Sequence, residues 1–152
     1  MEIWRTVREF ISLIEDDISD VSDNRIKLTI LLEKLSVGMK NIYGDVDDID
    51  DEMLPDLNYD SIRLMVFKRF PDFGFYNIAF DYSVNFETEE LDIGDAIDDV
   101  ADIYIDLKRA NEYNKYNREQ MALWDLQFGY KSHWGQHLSD LQKYIYKLNK
   151  EE

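Results

Sequence analysis

The chain has two histidines, His133 and His137, four residues apart in the stretch LWDLQFGYKSHWGQH that runs from Leu123 to His137. At about 100° per residue a helix projects both from one face, and Asp140 follows on that face one turn later. Two imidazoles and one carboxylate form a donor set that suits iron, manganese or zinc. A second predicted helix carries Asp95, Asp98, Asp99, Asp102 and Asp106 on one face and Tyr104 on its core-facing stripe. Across a helical bundle those carboxylates could reach the imidazoles. The candidate polar constellation is therefore His133, His137, Asp140, Asp98, Asp99, Asp102, Asp106 and Tyr104, with His133, His137 and Asp140 as the set a metal would use.

Helical di-metal bundles carry a Glu followed three residues later by a His on each of two helices. This chain has neither copy, so the favoured expectation is that the histidines hydrogen-bond to Asp or Tyr and fix helix packing, without a cofactor. A transition metal ion is the alternative. No catalytic residue is assigned. Cysteine is absent, and so are the G-x-S-x-G, P-loop and dinucleotide fingerprints. Among 33 acidic residues nothing distinguishes a working carboxylate pair from a solvated one.

The five aspartates also oppose their own helix. Pairs three and four residues apart repel by about 0.2 to 0.5 kcal/mol each, roughly 1 to 2.5 kcal/mol together. Burial of Val100, Tyr104 and Leu107, at about 1.5 to 3 kcal/mol for each such side chain, can outweigh this. A cation is welcome there but not required.

The elements that would position these groups follow from periodicity. A first helix spans about 3 to 19, with Trp4, Val7, Ile11, Ile14 and Ile18 as its stripe. Ser22 or Asp23 is expected to cap a second, bearing Leu28, Leu31, Leu32, Leu35, Met39 and Ile42 and ending near Gly44. From Asp45 to Asp60 there are eight acidic residues and no Lys or Arg, which reads as a solvated loop. Neither register of an EF-hand fits it, because Asp50 or Met53 falls where glycine is needed. Asp60 is expected to cap a short third helix ending before Pro71. The aromatic stretch from Pro71 to Phe86 reads as an extended segment over the helices, anchored by Phe73, Phe75, Tyr76, Phe80 and Phe86. A strand is conceivable at Tyr76 to Val84, but no second strand offers it a ladder. A fourth helix spans about 92 to 113, with Ile97, Val100, Tyr104 and Leu107 inward and the aspartates opposite. Asn117, with Gln120 three residues on, is expected to cap a last helix reaching about Leu148, bent if at all at Gly129 or Gly135. The expected fold is all-α, four main helices plus one short one, in a single domain over residues 1–152.

Composition bounds the partners. Apolar residues at 45% and aromatics at 14% exclude a disordered chain. A net charge of −16 argues against nucleic acid and anionic membranes, which are met with Lys and Arg. It favours a basic protein partner. With neither a signal peptide nor an apolar run of about 18 residues, a cytoplasmic location is expected.

The segments DDVADIYIDLK, Asp98 to Lys108, and W-x8-HWGxH, Trp124 to His137, resemble the bacterial domain-of-unknown-function family 5063, whose pattern has leucine where Val100 stands. The resemblance implies a bacterial, helical protein and carries over no site residue. The leading functional expectation is thus a non-enzymatic interaction or regulatory module with acidic faces. The alternatives are a metal-binding protein using His133 and His137, and a small-ligand binder with its pocket under residues 71–86.

Overall fold

The computed structural model describes residues 1–16, 20–46, 54–79 and 91–151. The chain is mostly helical: α1 (Glu2–Glu15), α2 (Val21–Gly38) with a 3-10 turn at Met39–Asn41, α3 (Tyr59–Arg69), β1 (Phe75–Ala79), β2 (Leu91–Asp95), α4 (Ala96–Lys115), α5 (Glu119–Gly129), a π turn (Tyr130–Trp134) and α6 (Gly135–Glu151). No helix among the described residues is long and apolar enough to cross a membrane.

The organising element is α4, which packs against α1, α3, α5 and α6. Its apolar residues Ile97, Val100, Tyr104 and Leu107 are buried as the periodicity predicts. Ala101, Ile103 and Ala110 are buried as well, so the helix is covered on more than one side. For this reason the face bearing the aspartates is not a solvent face: Asp99 and Asp106 are buried beneath the last helical segment. The first-helix stripe of Trp4, Val7, Ile11 and Ile14 is buried too, joined by Ile3, Phe10 and Leu13. Ile18, Phe80, Phe86 and the acidic run 47–53 lie outside the described residues.

Helix starts differ from expectation, at α2 and α3 because a polar side chain other than the expected one reaches the first free amides. Asp20 caps α2, accepting from the amides of Ser22 at 2.9 Å and Asp23 at 3.4 Å. Asn58 caps α3 through Ser61 N at 2.9 Å. Asn117 does not cap α5. It takes a left-handed conformation, φ 59°, in the turn between α4 and α5, which asparagine tolerates, and Arg118 precedes the helix with no side-chain cap.

The largest correction is a hairpin. β1 pairs antiparallel with β2, with Tyr76 opposite Gly94 and Phe75 opposite Asp95. The periodicity predicts that the fourth helix starts at about residue 92, whereas α4 begins at Ala96 and Asp95 caps it, accepting from Ile97 N at 3.0 Å. The aromatic segment therefore does have a ladder partner. Phe73 is buried, but Phe75 points to solvent with 74% of its surface exposed. Gly94 makes room here: a Cβ on it would meet the ring of Tyr76, which lies flat against its partner's backbone.

From Glu119 to Glu151 the helical backbone is unbroken, with the π turn lying between Gly129 and Gly135. Within it the Gly135 amide donates to the Tyr130 carbonyl. A Cβ at Gly135 would strike that carbonyl oxygen. The Trp134 indole, fully buried, donates to Leu126 O at 3.1 Å. Together these contacts hold the turn's register.

Candidate metal centre

The π turn and α6 present His133 and His137 to α4, where the aspartates stand one helical turn apart. His137 Nδ1 lies 2.7 Å from Asp99 Oδ1, and His133 Nδ1 lies 2.8 Å from Asp106 Oδ2. Each of these carboxylates is buried, so each Nδ1 serves best as the N–H donor and each Nε2 is left with its lone pair. Both Nε2 atoms turn toward one carboxylate. Asp102 Oδ2 is 3.2 Å from His137 Nε2 and 3.8 Å from His133 Nε2. The rings meet edge to face, with centroids 4.8 Å apart. One donor atom from each of Asp102, His133 and His137 can be chosen such that all three lie within 4.8 Å of one another.

Two lone pairs facing a carboxylate oxygen are mutually unfavourable until something positive sits between them, a proton or a metal ion. Burial on its own would lower the His137 pKa. The Asp99 hydrogen bond and the charges of Asp99, Asp102 and Asp98 more than offset this and hold it above its ordinary value. Asp102 is pushed above the usual carboxylate range, first by burial and then by Asp98. Asp99 is also raised, by burial, against the opposing pull of its hydrogen bonds from His137 and Tyr76.

The surrounding groups fix the carboxylates in turn. Tyr76 Oη donates to Asp99 Oδ2 from β1, and burial together with that bond drives the phenol pKa upward. Arg109 Nη2 stands 3.7 Å from Asp106, while Arg109 Nε is bound to Asp125 at 3.1 Å. Asp98 accepts from Tyr59 Oη. Asp95 faces Arg63 Nη2 at 2.5 Å. Each of the five aspartates that the sequence places on one stripe thus meets a histidine, tyrosine or arginine, with Asp99 and Asp106 buried.

Two members of the predicted constellation go elsewhere. Tyr104 Oη donates to Glu15 Oε1 at 2.6 Å, beside Lys108 at 2.5 Å, and ties α1 to α4. Asp140 is buried, but it accepts from Gln136 Nε2 at 3.0 Å and takes no place in the converging group. Seven residues after His133, it sits about 10 Å farther along the helix axis, too far to share one ion with it. Asp102 from the opposing helix occupies the position that Asp140 was expected to fill. Tyr76, Tyr59 and Arg109 belong to the surroundings of the site and had no sequence signal. The glycine at position 94, inside a β-rich stretch, was the one local hint of a close approach.

The family model described as "Domain of unknown function (DUF5063)" matches residues 1–151. No curated protein is significantly similar to the chain. Among solved structures, the crystal structure of protein BF1032 from Bacteroides fragilis is similar at a TM-score of 0.71 and 18% sequence identity, covering 97% of this chain and 92% of that one. That likeness is one of fold.

Proposed function

The chain belongs to the DUF5063 family, whose function is unknown, and from the geometry of its site we propose that it binds a divalent transition metal through Asp102 and the Nε2 atoms of His133 and His137. The observation that carries this reading is the convergence of both Nε2 atoms on Asp102 while a buried carboxylate holds each Nδ1. Metal-ligating histidines characteristically donate the other ring N–H to a carboxylate or carbonyl, which fixes the tautomer and raises the basicity of the ligating nitrogen. Two imidazoles and a carboxylate, without thiolate, favour iron, manganese or zinc over calcium or magnesium. With three protein ligands and His133 47% exposed at its side chain, the ion keeps positions open to solvent. That is the arrangement of metal sites that exchange a ligand rather than only hold a fold.

The test is elemental analysis of protein purified without a histidine tag, followed by calorimetric titration of chelated protein with zinc, manganese and iron(II). One bound ion per chain, lost on His133→Ala or Asp102→Ala, is expected. A chain that contains no metal and takes up none at micromolar concentration would end the proposal.

A second reading rests on the two contacts of His137, Nδ1 at 2.7 Å from Asp99 and Nε2 at 3.2 Å from Asp102, whose negative charges favour the protonated ring. In that reading a protonated His137 bridges Asp99 and Asp102 and serves packing alone. The metal reading is preferred because it also gives a role to His133, whose Nε2 turns to the same oxygen. A basic protein partner, the other expectation, would have to be met by acidic groups other than the α4 stripe.

A further inference from the structure

The outer groove between α1 and α2 has the opposite character to the rest of the molecule. In a chain with 33 acidic and 17 basic residues, the rims of its first hollow carry Arg5, Arg8, Lys27 and Lys34 and a single acid, Glu9, whereas the far end past Lys34 is flanked by Glu2 and Glu33. Glu9 is taken up by Arg5 at 3.0 Å and by Lys34 at 3.9 Å. Arg8 and Lys27 meet no carboxylate among the described residues. The hollow between the rims, about 520 Å³, is floored by Leu13, Ile30 and Leu31, and a second of about 560 Å³ continues it past Lys34 to Val37.

The walls of this groove are unusual in a second way. α2 buries Leu28, Leu31, Leu32 and Leu35 on one side, yet Ile26, Ile30 and Val37 stand exposed on the other. Their spacing of four and seven residues puts them on one stripe of the helix. A surface helix that is apolar on both sides lacks a covering layer on its outer one. From Lys27 to Gly38 the groove has a length of about 17 Å, enough for about three turns of helix.

We propose that this groove docks an acidic amphipathic helix of another protein, its apolar side chains over Ile30 and Val37 and its carboxylates against Arg8, Lys27 and the neighbouring cations. The charge selects the occupant. A nucleic acid would meet the cations of the rims with its phosphates but leave the apolar floor of Leu13, Ile30 and Leu31 uncovered. A second copy would offer its own groove, whose floor of Leu13, Ile30 and Leu31 is recessed between the rims and supplies no protruding apolar ridge to fill this one. An acidic helix satisfies floor and rims together, as amphipathic helices do in apolar grooves, and the local positive field steers its approach.

The probe is a fluorescein-labelled peptide of about three helical turns, with leucine at helical spacing and glutamate on the flanks. Its control carries lysine in place of glutamate. Binding is read by anisotropy on the full chain. The glutamate peptide is expected to bind at least about tenfold more tightly than the control, and to weaken about tenfold between about 20 and 300 mM salt as screening shortens the reach of the charges. Arg8→Glu combined with Lys27→Glu, both at exposed positions, should abolish that preference, and Ile30→Asp should weaken binding about tenfold, with unchanged circular dichroism in each case. Equal binding of the two peptides, binding of neither, or binding indifferent to these substitutions would overturn the proposal. So would a dimer in sedimentation that Ile30→Asp converts to monomer. The proposal is independent of the metal and can fail while the metal reading stands.

Discussion

Asp99 and His137 are joined across α4 and α6 by a 2.7 Å contact between Oδ1 and Nδ1, and Asp99 is itself held from the other side by the Tyr76 hydroxyl. The imidazole orientation is thereby set by a chain of three side chains from three elements. Replacing Asp99 by Asn keeps the shape and an acceptor but removes the charge that raises ligand basicity. Such changes around a metal ligand cost about 10- to 100-fold in affinity. Titration calorimetry of Asp99→Asn against the parent is expected to fall in that range, and an unchanged zinc affinity would separate Asp99 from the site.

His133 and His137 should differ in the metal-free protein and agree in the metal-bound one. The His137 side chain is 23% exposed and that of His133 47%. In chelator, His137→Ala leaves the buried Asp99 short of a partner, at a cost of about 1 to 3 kcal/mol. His133→Ala, with more solvent at hand, should cost less. Each should remove the metal completely, and with it about 2.7 kcal/mol of stabilisation at a metal concentration 100 times Kd. Denaturant unfolding with and without metal measures both, and equal costs in chelator would contradict the asymmetry.

The pH dependence of the chelated protein follows from the raised His137 pKa. A group whose folded pKa lies above its unfolded value, about 6.5 for histidine, contributes stability fully present below that value and lost as pH rises through the folded pKa. Melting temperature in chelator should therefore decline between about pH 6 and pH 8, and the decline should flatten in His137→Gln. Metal-bound protein should behave oppositely, gaining from the metal as pH rises because the ligating imidazoles must be neutral. A chelated protein that grows more stable across this window would contradict the assignment.

Two glycines give a graded test of packing. A Cβ at Gly44 would meet the Gln120 carbonyl oxygen and the Trp124 amide, both backbone atoms, whereas one at Gly94 would meet the ring of Tyr76. A ring can swing aside and a helix backbone cannot. Gly44→Ala is expected at the upper end of the overpacking range of about 1 to 3 kcal/mol, and Gly94→Ala at the lower end. Gly94→Ala should also weaken metal binding, because a displaced Tyr76 releases Asp99. Thermal melts and one titration decide the order.

The apolar periodicity of the chain was enough to find the helices, and the i, i+4 spacing was enough to place both histidines on one face. It could not say which carboxylate would join them. Asp140 and Asp102 are equally good ligands by type, and the choice between them depends on how α6 lies over α4, a relation between distant segments that no local pattern encodes. The aspartate stripe read as the face opposite the core, where a cation is welcome but not required, because charged side chains are seldom fully buried. Its burial follows from α4 being covered on several sides, which shows in the structure as Ala101, Ile103 and Ala110 packed away from solvent. The hairpin was missed for a related reason. Leu91 and Ile93, 63% and 69% exposed, supply no inward stripe, and Asp92, Gly94 and Asp95 resemble the approach to a helix cap.

The π turn at Tyr130–Trp134 makes the spacing between α5 and α6 a quantity as consequential as any side chain. Ser132 is exposed, and its hydroxyl donates to Phe128 O at 2.7 Å within the same helix, so its replacement by alanine should pass almost unnoticed. Its deletion should be absorbed as well, because a π turn holds about one residue more than the α-helical stretch it replaces. With Ser132 gone the turn can close into an ordinary α-helix, and Met121, Leu123 and Leu126 stay in the core. Insertion of one residue into a plain α-helical stretch of α5 has no such slack. Everything before the insertion would rotate by about 100° and shift by about 1.5 Å, carrying those three side chains out of the core.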